Sequence, residues 1–322
     1  MKAAVYYENG GPEVLRYEDV PDPVCAPGGV VIDVKAVGIE GGDVGNRARG
    51  LLASRPHIVG YNCAGIVSQV GANVTDRKIG DRVTALMFNG SHAARAAVAA
   101  AQTWLVPERL SLEHAACVPV AWGTAHDCLF EFGHLRAGET VLIQAGGSGV
   151  GLACVQLAKR AGATVFATAG SKDKIERLKE FGVDHGIAYR EVDFVEALQK
   201  LTSNKGVNLV VDAVGGDTLQ RSLLCLGYRG RAITVGNSSR GDLKIDPSPL
   251  APGNRSLTGV FFGAEVALAT ARVRPMLDQI LADLAKGELR VVIDRRFPLA
   301  EAAAAHAYIE SRAAFGRVVL IP

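Results

Sequence analysis

The hydrophobic pattern of the chain changes near residue 140. Before that point, short β-rich runs at residues 30–34, 65–70 and 81–86 are separated by turn residues, which predicts a compact, mostly β lobe from residue 2 to about 120. Beyond it, strand-like runs alternate with helical segments, which predicts parallel β-α-β units. We therefore expect an α/β protein whose two regions are built differently.

The β-α-β region opens with a strand predicted at residues 140–145. A helix is predicted at residues 150–161, where apolar residues have helical spacing and Gly162 is suited to cap the end. A second, core-facing helical pattern at residues 273–284 contains Pro275, where we expect a kink or a restart. The remaining predictions are a charged helix at residues 172–181 and strands at residues 164–169, 208–214, 231–235, 256–262 and 317–322.

Length and composition narrow the class of protein. A chain of 322 residues exceeds what one compact core usually reaches, so we expect two lobes with a cleft between them. Hydrophobic residues make up 48% and charged residues 21%, which is typical of a soluble globular protein. The net charge of +2 is nearly balanced, and basic pairs such as Arg295-Arg296 adjoin acidic residues, so nucleic-acid binding is not expected.

The first residues of the sequence and its cysteines indicate in which cellular compartment the protein is expected. The first residues lack the charged and then apolar build of a secretory leader, and no apolar run is long enough to span a membrane. We therefore expect a cytoplasmic protein without a membrane partner. The six cysteines include no C-x-x-C pair, which favours small buried side chains over a zinc ribbon or a disulfide framework.

A glycine-rich segment lies between the predicted strand and helix of the β-α-β region. In this context glycines permit a tight turn and let the backbone approach a pyrophosphate at the helix N-terminus, whereas the alternative is a flexible turn. Ser148 departs from the G-x-G-x-x-G pattern at its second glycine, although its small hydroxyl is able to donate to a phosphate. The predicted dinucleotide-binding residues are Gly146, Gly147, Ser148, Gly149, Val150 and Gly151.

The end of the next strand indicates which dinucleotide binds. Enzymes that use NAD place an acidic residue there to bind the ribose 2′-hydroxyl. Here the tip is neutral and is followed by lysines, which suits the 2′-phosphate of NADPH. We predict that Ser171 and Lys174 bind this phosphate and that Lys172 is a surface residue. Asp173 argues against NADPH, since its carboxylate could bind the ribose hydroxyls of NADH. We expect it to stabilise a helix N-terminus instead.

Several short motifs occur in a specific order along the whole chain. They are GGPEVL at residues 10–15, AGIV at 64–67, GDRV at 80–83, residues 141–151 continuing into QLAK at 156–159, GNSS at 236–239 and ESRA at 310–313. In this order they resemble the medium-chain dehydrogenase/reductase superfamily and, within it, the quinone oxidoreductases.

The resemblance implies a domain organisation and further cofactor contacts. It implies a GroES-like, mostly β catalytic domain formed by residues 1–120 and 263–322, with a Rossmann domain of residues 121–262 inserted and NADPH in the cleft. It also implies that Tyr189 lies near the adenine-ribose phosphate, Asn237 on the nicotinamide side, and Arg312 against the cofactor. Structural roles are the alternatives: Tyr189 could cap a strand, and Arg312 could be a surface charge at a helix end.

The zinc ligands of related alcohol dehydrogenases are missing from this chain. Those enzymes carry a Cys where Glu40 stands and Gly-His-Glu at residues 60–62, which here read Gly-Tyr-Asn. Cys63 lies one residue further on, without a partner at a matching spacing, so we expect no metal. We interpret the single histidines His57, His92 and His126 as structural.

The absence of a Lewis acid restricts the chemistry. Hydride addition to a simple ketone creates a localised alkoxide, whereas a quinone or an α,β-unsaturated carbonyl spreads the charge. We therefore predict an enzyme that reduces a small-molecule quinone or enone with NADPH. A second possibility is an enoyl or alkenal double-bond reductase. A third, non-enzymatic possibility is an NADPH-binding protein similar to zeta-crystallin, with a lens or RNA-binding role.

The loop at residues 38–47 is expected to line the cleft. We predict that Glu40, Asn46 and Tyr61 face the substrate. Glu40 either pairs with Arg47 or makes the pocket reject anions, and Tyr61 either presents its phenol to the substrate oxygen or packs in the core. Glycines at positions 41, 42 and 45 should widen the pocket. An exposed edge of the strand at residues 256–262 predicts a homodimer.

Overall fold

The computed structural model describes residues 1–241 and 244–322. The chain forms two compact units, which we call the β unit (Met1–Gly123 with Gly263–Pro322) and the α/β unit (Thr124–Phe262). The β unit is made from both ends of the chain.

The strands and helices are numbered in chain order. The strands are β1 Lys2–Val5, β2 Arg16–Asp19, β3 Gly29–Gly38, β4 Asn62–Val70, β5 Arg82–Leu86, β6 Arg95–Ala99, β7 Thr103–Leu105, β8 Thr140–Ile143, β9 Thr164–Ala169, β10 His185–Ala188, β11 Val207–Asp212, β12 Leu226–Thr234, β13 Ser256–Gly259, β14 Ile293–Pro298 and β15 Arg317–Ile321. The helices are α1 Gly41–Arg49, α2 Leu112–Ala115, α3 Pro119–His126, α4 Gly149–Arg160, α5 Lys172–Lys179, α6 Phe194–Leu201, α7 Gly216–Ser222, α8 Phe262–Leu268, α9 Thr270–Lys286 and α10 Ala302–Glu310.

The β unit is built around β3, whose ten residues are buried along most of their length. The seven-stranded sheet has the order β14-β15-β3-β4-β5-β7, and β6 also pairs with β3. Alternating apolar residues of these strands, including Val30, Ile32 and Val34, fill one core with Val318 and Leu320 from the chain terminus. The pairing Val319↔Gly38 therefore ties the last strand to the centre of the sheet.

The α/β unit contains a six-stranded, fully parallel sheet with the order β10-β9-β8-β11-β12-β13. The order reverses between β8 and β11, which is the doubly wound arrangement that binds ligands at the carboxyl ends of its central strands. Together the two units confirm the predicted α/β class with a GroES-like β domain and a Rossmann domain.

Two element predictions need correction. Helix α9 begins at Thr270 and runs without a restart through Pro275 to Lys286, although Pro275, its sixth residue, lacks the N–H that would donate to the carbonyl oxygen of Ala271. The strand predicted at residues 256–262 ends at Gly259, and Phe262 already begins α8.

Candidate active site

The glycine-rich segment follows β8 and enters the first turn of α4. Ser148 caps this helix, since its Oγ accepts a hydrogen bond from the N–H of Gly151 at 3.0 Å. First-turn amides have no carbonyl partner within their helix, so the N–H groups of Gly149 and Val150 point outward at the positive end of the helix dipole. A pyrophosphate fits this arrangement.

Two glycines of the segment are required by close packing. A Cβ on Gly151 would lie 2.3 Å from the carbonyl oxygen of Ala145, and a Cβ on Gly146 would lie 2.9 Å from the Cβ of Ala167 in β9. Gly147 is buried beside them. The backbone therefore passes where a side chain would not fit, as a loop that binds phosphate through main-chain amides requires.

A buried polar network supports the glycine segment. Thr168 Oγ1 accepts from the N–H of Ala145 at 3.2 Å and donates to Gln144 Oε1 at 2.6 Å. Gln144 Nε2 donates to Ser222 Oγ at 3.0 Å, and that hydroxyl donates to the Asp212 carboxylate at 3.1 Å. Burial raises the pKa of Asp212. Sequence reasoning missed this network. Its signal was a polar residue at or just after the carboxyl end of three adjacent strands: Gln144 after β8, Thr168 in β9 and Asp212 in β11.

The tip of β9 presents the residues predicted for the 2′-phosphate. Ser171 caps α5, and its Oγ accepts from the Lys174 N–H at 3.3 Å, so these two residues lie together. Asp173 lies in the first helical turn. Lys172 is exposed, and its Nζ pairs with Glu191 at 2.7 Å. The neutral end of the strand is thus followed by a helix N-terminus, a second feature that attracts a phosphate.

Two further residues lie at this tip. Tyr189 follows β10, and its N–H donates to the carbonyl oxygen of Ala169 at 3.1 Å. Its hydroxyl lies 3.4 Å from the position a Cβ would take on Gly170, and Arg190 Nε lies 3.5 Å from the same point. Sequence reasoning missed Arg190, although a cation directly after Tyr189 was its signal. The tip therefore combines a phenol, a guanidinium and a helix N-terminus.

Asn237 and Arg312 belong to different units. Asn237 organises the loop that follows β12, since its Nδ2 donates to the Gly241 carbonyl at 2.9 Å and its Oδ1 accepts from Ser239 Oγ at 2.8 Å. Arg312 is exposed after α10 and has a left-handed backbone with φ of 58°. Their predicted cofactor contacts stay predictions.

In the β unit, Tyr61 and Asn46 form a direct contact. Asn46 Nδ2 on α1 donates to the Tyr61 hydroxyl at 2.8 Å. The tyrosine ring takes the space that a side chain at Gly42 would need, because a Cβ there would lie 2.4 Å from Tyr61 Cε2. The Cβ positions of Gly41 and Gly45 are open, with no described heavy atom within 4 Å. Gly42 therefore accommodates Tyr61, while Gly41 and Gly45 leave open space.

The predicted pairing of Glu40 with Arg47 is wrong. Glu40 is buried and pairs with Arg317 of β15, whose NH1 donates to Oε2 at 2.8 Å. Arg47 instead pairs with Glu310, its NH2 lying 2.6 Å from Oε1. The reason is the register of the sheet. Because β15 runs antiparallel to β3 with Val319 opposite Gly38, Arg317 at the start of β15 comes to lie opposite Glu40. The charge of Glu40 is thereby compensated inside the protein.

His92, interpreted as a single structural histidine, is one of a buried pair. Its Nε2 lies 3.1 Å from Nε2 of His306, whose Nδ1 lies 3.3 Å from Arg47 NH1. Because a guanidinium only donates, Nδ1 of His306 must accept, so its Nε2 carries the hydrogen and donates to His92. Burial lowers the pKa of His92 to about 3 and that of His306 well below its ordinary value. Both imidazoles are therefore neutral.

The described residues contain neither a metal-binding cluster nor a membrane-spanning helix. Among residues 1–241 and 244–322, no group of three or more His, Cys, Asp and Glu side chains is arranged to hold a metal ion. No helix in this described part of the chain has the length and apolar character needed to cross a membrane.

Two family models match the chain in the order of its domains. The alcohol dehydrogenase GroES-like domain matches residues 26–171, and the zinc-binding dehydrogenase model matches residues 149–282. Together with the two units described above, these matches define the medium-chain dehydrogenase/reductase class.

Individual relatives narrow the class. The 2-haloacrylate reductase of a Burkholderia species is 34% identical over 333 residues, which covers 100% of this chain and 99% of that protein. The quinone oxidoreductase of Sus scrofa is 31% identical and covers 100% and 98%. The structure of Escherichia coli quinone oxidoreductase complexed with NADPH has a TM-score of 0.95 at 31% identity and covers both chains fully. The chain belongs to the quinone oxidoreductase family, which confirms the resemblance seen in the sequence.

Proposed function

We propose that this protein is an NADPH-dependent reductase of quinones or related conjugated carbonyl compounds. The observation that carries this proposal is the bare glycine segment at the start of α4, which offers amides and a helix dipole to a pyrophosphate. The NADPH complex of the Escherichia coli relative supports the choice of cofactor. In this proposal residues 121–262 bind the cofactor, and residues 1–120 with 263–322 supply the catalytic groups.

The binding residues follow from the geometry of the α/β unit. Gly149 and Val150 bind the pyrophosphate through their N–H groups. Ser171 and Lys174 bind the 2′-phosphate, and Arg190 adds a charge-assisted hydrogen bond beside Gly170.

Tyr61 is the proton donor in the proposed reaction. When bound, NADPH supplies a hydride to a carbon of the acceptor. Asn46 donates to the phenolic oxygen of Tyr61, so the hydroxyl hydrogen is left for the acceptor oxygen. Burial, with a smaller contribution from the charge of Asp43, raises the pKa of Tyr61, which keeps the phenol protonated at neutral pH. The hydride on carbon and the proton on oxygen give an enol, which tautomerises to the hydroquinone or to the saturated carbonyl compound, and water reprotonates the phenolate.

The test is a turnover assay. NADPH oxidation is followed with a panel of quinones and enals, with NADH in place of NADPH, and with a chelator. We expect turnover that the chelator leaves unchanged, and loss of turnover on chelation would contradict the proposed chemistry. Y61F should lower kcat about 100-fold or more with an unchanged KM for NADPH. The exposed Tyr17 is the control, since Y17F should leave kcat unchanged.

An activated double bond is the second candidate acceptor. It is favoured by the relative named 2-haloacrylate reductase, which is 34% identical. The same hydride and proton transfers serve both acceptors, so the values of kcat/KM for quinones and for enoates decide between them. Tight NADPH binding without turnover of either class would favour a non-enzymatic role instead.

We further propose a cytoplasmic homodimer. β13 is the terminal strand of the described part of the parallel sheet, and its free edge is suited to pair with a second copy across a two-fold axis. Two aromatic side chains near β13 in the chain or the sheet are exposed: Tyr228 on the neighbouring strand β12, and Phe261 two residues after β13. All six cysteines are free, which suits a reducing compartment. A monomer in sedimentation would contradict the dimer.

A further inference from the structure

We propose that Arg317 is a positioning residue for the acceptor site, acting through Glu40 on the contact between Asn46 and Tyr61. This inference rests on the proposed function, because it requires Tyr61 to be the proton donor. Arg317 is buried at the start of β15, and the two residues it influences lie on α1 and before β4.

The guanidinium of Arg317 holds Glu40 in one orientation. Its NH1 donates to Glu40 Oε2 at 2.8 Å, and its NH2 donates to both Glu40 Oε1 and the carbonyl oxygen of Ile39, the latter at 2.9 Å. A planar fork that binds both carboxylate oxygens fixes the direction of the carboxylate as well as its charge. The contact with the Ile39 carbonyl oxygen also holds in place the backbone segment that leads from β3 into α1.

Glu40 then connects the two elements that carry the acceptor-side groups. Asn62 Nδ2, at the start of β4, donates to Glu40 Oε1 at 2.5 Å. The Glu40 N–H donates to Asp43 Oδ2 at 2.8 Å, which ties the Glu40 backbone to the first turn of α1. Asn46 lies one turn further along α1, and Tyr61 directly precedes Asn62. The 2.8 Å contact between Asn46 and Tyr61 therefore depends on where Glu40 is held.

Stability alone does not account for this cluster. Glu40 and Asp43 are two buried carboxyl groups, and burial raises the pKa of both. Within the described residues, Asp43 Oδ1 and Asn62 Oδ1 have no hydrogen-bond partner. Buried ion pairs with unsatisfied neighbours are often no more stable than apolar replacements. What the cluster does provide is a fixed distance between α1 and β4, which is the property that Asn46 and Tyr61 need.

The test uses a charge-neutral variant that is designed to fold. E40Q/R317M removes the charges of Glu40 and Arg317 together, so the Glu40 carboxylate is not left in the core without its cation. Circular dichroism and thermal unfolding confirm the fold before kinetics are measured. We expect kcat with the preferred quinone or enone to fall about tenfold, because a small misplacement of a catalytic group is costly, while KM for NADPH changes less than about twofold.

The discriminating measurement is coupling to Tyr61. If Arg317 acts through Tyr61, then E40Q/R317M introduced into Y61F should change kcat less than about twofold, since the group it positions is already gone. R317K keeps the charge without the planar fork and should lower kcat in the wild-type background but not in Y61F. Equal losses of kcat in the wild-type and Y61F backgrounds, or no loss in either, would overturn the positioning role.

The control is a second bidentate pair elsewhere in the chain. Arg231 donates to Glu139 through NH1 at 2.9 Å and through NH2 at 2.7 Å. E139Q/R231M should leave kcat unchanged, and a loss equal to that of E40Q/R317M would overturn the inference by showing a general effect of removing ion pairs. Absence of turnover by the wild-type protein would overturn the proposed function and this inference together, whereas an active wild type with additive losses would overturn this inference alone.

Discussion

Two regions of the molecule are built in opposite ways. One is the glycine segment of the α/β unit, and the other is the buried cluster of the β unit that consists of Glu40, Asp43, Asn62 and Arg317. The segment consists of consecutive residues that act through their main chain, and the cap that organises it joins Ser148 to Gly151, three positions away. The cluster acts through side chains and joins Glu40 to Asn62, 22 positions away, and to Arg317, 277 positions away. The local site therefore depends on the absence of side chains, since glycines leave room for the ligand. The non-local site depends on the fold bringing each charged side chain to a partner of opposite charge.

The largest expected effect on stability comes from removing Arg317 while Glu40 stays in place. R317M leaves the Glu40 carboxylate buried without its cation, which should lower the free energy of unfolding by about 3–5 kcal/mol. Chemical denaturation measures this loss. E40Q/R317M should recover most of it, because both charges are then removed. If the double variant is as unstable as R317M, the cost arises from lost packing rather than from the unpaired charge.

The histidine pair should make the β unit sensitive to acid. The pKa values of His92 and His306 are lowered in the folded state, so below the unfolded value of about 6.5 the unfolded chain binds more protons. Stability should therefore fall as pH decreases below about 6.5, by about 1.4 kcal/mol per pH unit for each histidine, and the His92 contribution should continue to be lost towards pH 3. Arg47 and Glu310 are the charged groups that face the pair through the Arg47 contact.

Denaturation curves between pH 7 and pH 5 test the acid sensitivity. The wild type is compared with H92Q/H306Q, in which this contribution is removed and the dependence on pH should flatten. An unchanged slope in the double variant would assign the acid sensitivity to other groups.

The third prediction concerns the α/β unit and its preference for NADPH over NADH. S171D/K174A should weaken NADPH binding about 10- to 100-fold and NADH binding much less, because charge-assisted hydrogen bonds to the 2′-phosphate contribute about 1.5–3 kcal/mol each. Titration of each dinucleotide by fluorescence measures both. K172A is the matched control, since this exposed lysine already pairs with Glu191. Equal weakening of NADPH and NADH would refute the assignment.

The smallest effect is expected at the helix cap of the glycine segment. S148A removes the acceptor for the Gly151 N–H and should cost about 1 kcal/mol of unfolding free energy, while S148G should cost only a few tenths. Thermal unfolding compares the two. A larger loss for S148G than for S148A would mean that Ser148 stabilises the turn by a route other than capping.

Much of the α/β unit was determined by the sequence alone. The glycine segment, the strand before it and the helix that starts after Ser171 are local features, and residues within a few positions of each other determine their geometry. The alternation of strands and helices likewise predicted a parallel sheet before its order was known.

Only the tertiary structure decided which charges meet in the β unit. The sequence offered Arg47 as the nearest partner for Glu40, but the register of β15 against β3 placed Arg317 there and left Arg47 to pair with Glu310. The same holds for His92 and His306, which are 214 positions apart. Periodicity fixes which face of a strand is buried, whereas the partner of a buried charge is set by strand order and register, which local patterns do not encode.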